Sequence, residues 1–398
     1  MEQKLAGRPT VRSPAIIVIA ATIAVAYSIP LGFQHLDLHK FLLPWYRHIE
    51  QTGQIAAFAA PFGNYTPPYL YLLSLATLIP VDPLYAIKGI SVFGALLLSA
   101  SVYYLLSGIP RRDEAAISVL LLPTVVFNAA VLGQADAFWT ASAVMSVAAA
   151  LRGRLLAMVA WAGLSFALKA QAAFLAPFVI AVLVSRRAPL RYWLVPTLVY
   201  AMAMFPAWLA GWPAQDLATV YVRQMAWQPD SGARFVSNAA NWWTVAWWLD
   251  VVPPLWVGGV LGVGGVTAYV YAFRRIERRQ MLAAAAFSAA LLPWLLPLMH
   301  ERFHILADVL AFALAWALRT RLAVAAAVAM QTGSALAVVG YTAYYSIGMA
   351  TVGCAFVILA LAALARLSEL QPGPNGAHET ELAGRRCADS SLAKAGVS

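Results

Sequence analysis

Twelve apolar runs separated by short arginine clusters constrain this chain more than any other feature. They fall at roughly 14–33, 84–108, 115–132, 136–151, 154–168, 171–185, 191–210, 253–273, 281–298, 303–318, 321–340 and 347–366. About 20 apolar residues of helix cross a bilayer core, and only helices or closed barrels satisfy their own backbone inside it. The runs are continuous rather than alternating, which excludes a barrel of the outer-membrane type. Only 11% of the residues are charged, against about 25% in soluble domains. The reading is an all-α polytopic membrane protein with about 12 transmembrane helices, integral and multi-pass.

The net charge of +10 would suggest nucleic acid in a soluble protein. Here the arginines sit in short interhelical loops, where they orient the chain in its bilayer. Membrane lipids are therefore the expected surroundings, and nucleic acid is not an expected partner. The run at 14–33 follows Lys4, Arg8 and Arg12 and lacks a small-residue cleavage site, so it reads as a retained first span. The two cysteines, Cys354 and Cys387, suggest neither a disulfide framework nor a metal cluster.

Charge alternation also decides the status of residues 67–80. With that segment left out as a span, Arg111 and Arg112, Arg152 and Arg154, Arg186, Arg187 and Arg191, Arg274 to Arg279, and Arg319 and Arg321 all fall in the cytoplasm. Counted as a crossing, it would throw them all outside. At about 14 residues it is short for a span, so an interfacial or re-entrant helix is expected. Residues 1–366 then form one membrane domain with external segments at 34–83 and 211–252. Residues 367–398 read as a disordered cytoplasmic tail, being polar and rich in Pro and Gly.

Polar groups at membrane depth are costly, so their clusters mark candidate sites. Asp37 stands just past the first span with His35, His39 and Lys40 beside it, and an ionised carboxylate there can act as a general base. Interfacial solvation is the bland alternative for Asp37, and the His35/His39 spacing lacks the third ligand that a metal needs. In the turn at 298–308, Arg302 can bind phosphate through its planar fork and His300 can donate a hydrogen bond beside it. A helix starting near residue 303 would turn its N-terminal dipole toward the same anion. The alternative there is a structural ion pair of Glu301 with Arg302 or Lys169. Asp136 and Lys169 can pair in the same way, leaving Gln134 and Gln171 for sugar hydroxyls. Trp212, Trp227, Trp242, Trp243, Trp247 and Trp248 fit an interfacial aromatic belt better than a sugar-stacking platform.

These stretches, in order, resemble the membrane-integral glycosyltransferases of the GT-C class. The likeness is greatest to the branch of N-glycan glucosyltransferases that use dolichyl-phosphate glucose and of bacterial proteins like the GPI-anchor mannosyltransferase II. It rests on Asp37 after the first span, Trp45-Tyr46-Arg47-His48, and the hinge Tyr65-Thr66-Pro67-Pro68-Tyr69-Leu70. It continues through Gly133-Gln134-Ala135-Asp136, Lys169-Ala170-Gln171 with Ala176-Pro177, and His300-Glu301-Arg302. The resemblance implies a GT-C-like fold with a large first external loop. It also implies inverting transfer of a hexose, mannose or glucose, from a polyprenyl-phosphate donor to a lipid-linked or glycan acceptor. Asp37 would be catalytic, and His300 and Arg302 would bind the donor phosphate. Glu301, Gln134, Asp136, Lys169, Gln171 and Tyr65 would bind substrate. No cofactor is implied, and a divalent metal is left open.

A bacterial inner membrane with the site facing the periplasm is the expected location. The competing reading is a multi-pass transporter or lipid flippase, which would place broken spans and polar groups near the bilayer midplane. A noncatalytic scaffold is the third, and it leaves the His-Glu-Arg turn unexplained.

Overall fold

The computed structural model describes residues 14–226, 236–344 and 347–369. Trp227 and residues 370–398 of the expected tail lie outside the described residues, while 367–369 complete the last helix. The described residues form helices joined by turns, in the order α1 (Pro14–Ser28), α2 (Leu43–Thr52), α3 (Pro67–Ala76), α4 (Pro83–Leu105), α5 (Arg112–Ser118), α6 (Pro123–Val126), α7 (Asp136–Leu151) and α8 (Leu155–Leu168). There follow α9 (Ala176–Ser185), α10 (Leu190–Leu209), α11 (Ala214–Ala226), α12 (Trp242–Trp248), α13 (Leu255–Ala272), α14 (Met281–Leu295), α15 (Ile305–Leu318), α16 (Arg321–Tyr344) and α17 (Ile347–Glu369).

Every apolar run forms helix, but length separates them. Five helices are long and apolar enough to span a bilayer: Pro83–Leu105, Leu190–Leu209, Leu255–Ala272, Arg321–Ala343 and Ile347–Glu369. A sixth span is available if the pair Arg112–Leu121 and Pro123–Val131, bent by 59°, counts as one. The bend falls at Pro123, whose ring disfavours helix at the residue before it. Leucines and valines on α10 and α13 face outward, as an integral multi-pass membrane protein requires.

Prolines fix where several helices begin, since a first-turn residue has no intrahelical use for its N–H. Pro67 opens α3, Pro83 opens α4 behind the Asp82 cap (Oδ1 accepts from the Leu84 N–H at 2.8 Å), and Pro177 opens α9. The ten residues of α3 reach about 15 Å, half a bilayer core. This helix is therefore too short to cross by itself, and it buries Tyr69, Leu70 and Leu73 against its neighbours. Its Tyr71 hydroxyl is inserted into α10, accepting from the Ala207 N–H (2.9 Å) and donating to Ala203 O (3.3 Å).

The interior helices α7, α14 and α15 are lined by buried alanines, and small residues let membrane helices approach closely. Backbones come very close between α16 and α17, where a Cβ on Gly353 would stand 2.6 Å from Gly333 O. One end of the bundle is stitched by arginines: Arg152 donates to Tyr104 O (2.5 Å) and to Ser107, and Arg319 donates to Pro110 O (2.9 Å). The acid–base cluster of the sequence lies at the other end.

Candidate active site

Asp37 follows the turn that ends α1 and precedes a π-helical turn, Leu38–Leu42, whose Leu38 and Leu42 are buried. His35, 2% exposed, accepts the Asp37 N–H at Nδ1 (3.3 Å) and packs edge-on against Tyr341. The Asp37 side chain keeps 15% exposure, and its Oδ2 accepts from Gln134 Nε2 at 3.2 Å. Gln134 is oriented in turn by the Tyr65 hydroxyl, which donates to its Oε1 at 3.0 Å. An amide whose oxygen is already engaged presents its NH2 to the carboxylate.

Gly133, at φ +65, turns the chain from a π-helical segment into Gln134 and then into α7, a conformation that suits glycine. Asp136 opens α7 and is fully buried. Its Oδ1 accepts from Lys169 Nζ (2.8 Å) and from Trp139 Nε1 (2.9 Å). Trp139 stands three residues on, one helical turn away, which puts the two on one face. Lys169 leaves α8 in extended backbone, and its ammonium lies 4.9 Å from the centre of the Tyr65 ring. Thr66 donates to Leu168 O (3.2 Å), tying the Tyr65–Pro68 hinge to the end of α8.

The His300–Glu301–Arg302 turn links α14 to α15. Leu298 enters it at φ +59, a sparsely populated conformation for leucine. The segment before α12 holds the turn, for the Ala239 N–H donates to Met299 O at 3.1 Å. The carbonyls ending α14 have no intrahelical partner. Asn241 Nδ2 reaches Pro293 O and Leu296 O (both 3.2 Å), and Trp243 Nε1 reaches Leu295 O (2.8 Å).

Arg302 is the centre of the cluster. Its Nη1 donates to Glu301 Oε1 at 2.7 Å and lies 3.5 Å from Asp37 Oδ2, and its Nε lies 3.5 Å from Asp136 Oδ2. Burial alone would raise the Glu301 carboxyl, but Arg302 and, more weakly, His300 at 3.8 Å hold it at about 2. Burial works against the Arg302 charge, and the surrounding carboxylates more than restore it. Of the three carboxylates around Arg302, only that of Asp37 is accessible; those of Glu301 and Asp136 are 0% exposed.

The structure thus brings Asp37, Tyr65, Gln134, Asp136, Lys169, Glu301 and Arg302 into one connected network. The half-exposed His300 stands at its edge beside Phe303. Gln171 lies in the 3-10 turn Ala170–Leu175 with its Oε1 buried and unpartnered. His39 and Lys40, which stand beside Asp37 in sequence, are exposed, and the buried Arg302 lies 3.5 Å from the carboxylate. Sequence reasoning missed Trp139, although its helical spacing from Asp136 was a usable signal. It also missed Asp308, buried one turn into α15 and accepting from the Ser334 hydroxyl at 2.9 Å. Trp242 and Trp243 serve α14 as hydrogen-bond donors, Trp212 is buried beside Phe62, and Trp247 and Trp248 are exposed. Among the described residues no three His, Cys, Asp or Glu groups converge to hold a metal.

The fold is similar to that of ArnT from Cupriavidus metallidurans in its crystal structure bound to undecaprenyl phosphate. The TM-score is 0.52 at 15% identity, over 89% of this chain and 77% of that one. The apo crystal structure of the same protein aligns over the same shares at 16% identity and a TM-score of 0.47. No protein-family profile matches the sequence, and no characterised protein matches it either. The likeness supports the GT-C-like architecture expected from the sequence. At 15% identity it reaches the fold and not the narrower branch.

Proposed function

We propose that this chain is a glycosyltransferase that moves a hexose from a polyprenyl-phosphate donor to a lipid-linked or glycan acceptor. The carrying observation is the accessible Asp37 carboxylate 3.5 Å from the buried Arg302 guanidinium, a base beside a cation at one end of a membrane bundle. The undecaprenyl phosphate in the ArnT crystal structure is a ligand of the class this reading requires.

The acceptor hydroxyl gives its proton to Asp37 as its oxygen attacks the anomeric carbon, and the bond from that carbon to the phosphate oxygen breaks. The configuration inverts. The departing polyprenyl phosphate gains negative charge, and a preorganised guanidinium with His300 beside it lowers that barrier. Glu301 and Asp136 hold Arg302 from behind, and Lys169 neutralises Asp136. The 3.5 Å separation from Asp37 is looser than a hydrogen bond, so Arg302 can exchange that neighbour for a phosphate oxygen. Tyr65 and Gln134 orient the base.

The arginine-stitched end of the bundle belongs in the cytoplasm by the positive-inside rule. That orientation puts the site on the external face, the periplasmic one in a bacterial inner membrane. The test is transfer by purified protein in lipid, with a panel of radiolabelled polyprenyl-phosphate hexoses and a membrane extract as acceptor source. Label moving to an acceptor supports the reading and names the sugar. No transfer with any donor, together with lipid or solute movement across sealed vesicles, would replace it with transport.

A further inference from the structure

Lys88 is the single charged residue in the 23 residues of α4, and it is 0% exposed. An ammonium buried at membrane depth marks function or a demanding structural task. Its Nζ donates to Pro30 O at 2.5 Å and to Phe33 O at 2.7 Å. Those carbonyls belong to the 3-10 turn that ends α1 and to the residue after it, where the helix dipole favours a cation. Four residues later stands Asp37.

The other side of the same side chain touches a second loop. Its Cγ stands 3.5 Å from where a Cβ on Gly133 would be, with Ile87 at 3.6 Å. Gly133 is the left-handed residue that turns the chain into Gln134 and Asp136. The Gln134–Asp37 hydrogen bond of 3.2 Å therefore joins two loops that both rest on one lysine.

We propose that Lys88 is a positioning residue: by clamping the end of α1 while packing against the Gly133 turn, it sets the Asp37 carboxylate against Gln134 and Arg302. This rests on the glycosyltransferase reading for its catalytic consequence, but not for the clamp itself. Methionine at position 88 keeps the length of the stem and removes all three donors. The charge goes with them, the Phe33 carbonyl loses the lysine donor, and the Pro30 carbonyl keeps only the Phe33 N–H at 3.0 Å. Glutamine keeps donors without the charge, on a shorter stem.

The test uses full-length protein in lipid with two readouts. In Lys88→Met, amide hydrogen exchange should speed up at residues 34–38 while α7 and α14 stay protected. Transfer should lose about 100-fold in kcat, the scale of a small misplacement of reacting groups, with little change in donor KM. Lys88→Gln should recover part of both. Unchanged exchange at 34–38 would overturn the clamp. So would loosening spread evenly over α4, α7 and α14, which would make Lys88 a general stability element. If wild type transfers no sugar, the function proposed above fails, while the exchange experiment still decides whether Lys88 holds the Asp37 turn.

Discussion

Arg302 Nη1 lies 3.5 Å from Asp37 Oδ2 and 2.7 Å from Glu301 Oε1. One nitrogen thus faces both the accessible acid and the buried one, and the two separations divide the labour. The short one anchors the guanidinium from inside the protein. The long one leaves the side toward Asp37 open to an oxygen of a ligand. A lysine here would supply the charge without the planar fork that meets several carboxylates at once.

Arg302→Lys is therefore expected to fold and to lose most donor use, with kcat/KM down about 100-fold, as when one preorganised donor is removed. Arg302→Ala should do worse on both counts. It leaves the buried Glu301 without its 2.7 Å partner, and removing one partner of a buried ion pair costs about 3–5 kcal/mol. Michaelis kinetics and thermal unfolding measured on the same preparations separate the effects. Normal turnover and donor affinity in Arg302→Ala would remove the residue from the mechanism.

Acid should destabilise the protein through the Glu301 carboxylate in the turn between α14 and α15. Glu301 is depressed from 4.5 to about 2, so its contribution is whole above 4.5 and is lost as pH falls from there to 2. Thermal unfolding followed against pH should show Glu301→Gln flattening that limb. A curve parallel to wild type in the variant would remove Glu301 as the source of acid sensitivity.

Much of the fold was legible because hydrophobicity is a local property of the chain: all twelve apolar runs became helix, and Pro67 marked the start of a helix too short to cross. The interruptions were less legible. The 59° bend at Pro123 lies inside a run that reads as continuous. In the site, polar islands at the ends of apolar runs announced Asp37, Gln134, Asp136, Lys169 and the His300–Arg302 turn. Their partners did not announce themselves. Arg302 reaches Asp37 from across most of the chain's length, whereas His39 and Lys40 are exposed sequence neighbours. Lys88 was hidden by its own apolar run, and Asn241 with Trp243 by a segment that reads as an aromatic belt. Tertiary contact, rather than composition, decides each of these.

Packing between α16 and α17 gives a stability prediction independent of activity. A methyl group on Gly353 would meet Gly333 O at 2.6 Å and Ala240 Cβ at 3.2 Å. Backbone cannot yield as a side chain can, so Gly353→Ala should cost about 1–3 kcal/mol. On α13, a methyl group on Gly264 would meet nothing within 4 Å, and Gly264→Ala should be neutral or stabilising by up to about 1 kcal/mol. Thermal unfolding in one detergent compares them. Equal melting temperatures for the two variants would contradict the close crossing.

Orientation can be read with single cysteines. Gln51 on α2 and Arg154 between α7 and α8 are both exposed and lie at opposite ends of the bundle. In a background with Cys354→Ala and Cys387→Ser, a membrane-impermeant thiol reagent should label Gln51→Cys in intact cells. Arg154→Cys should label only after the membrane is opened. Labelling of both from the same side would overturn the placement of the site on the external face.

Asp37→Asn isolates the proposed chemistry. The amide keeps the size of the side chain and an oxygen able to accept from Gln134, so the loops around it should hold. What it loses is the basic oxygen that takes the acceptor proton. The variant should therefore fold, insert and bind a polyprenyl-phosphate sugar as wild type does, yet transfer it about 10²–10⁴-fold more slowly. Asp37→Glu should keep part of the activity, because a carboxylate remains but is displaced by one methylene from Arg302 and Gln134. Asp136→Asn makes the contrast, for that carboxylate is 0% exposed and paired to Lys169 at 2.8 Å. Its loss should show in melting temperature as well as in rate, whereas Asp37→Asn should show in rate alone. Binding is measured with labelled donor, turnover with the acceptor extract, and stability by thermal unfolding. Wild-type transfer by Asp37→Asn would end its assignment as the base while leaving the class of reaction open.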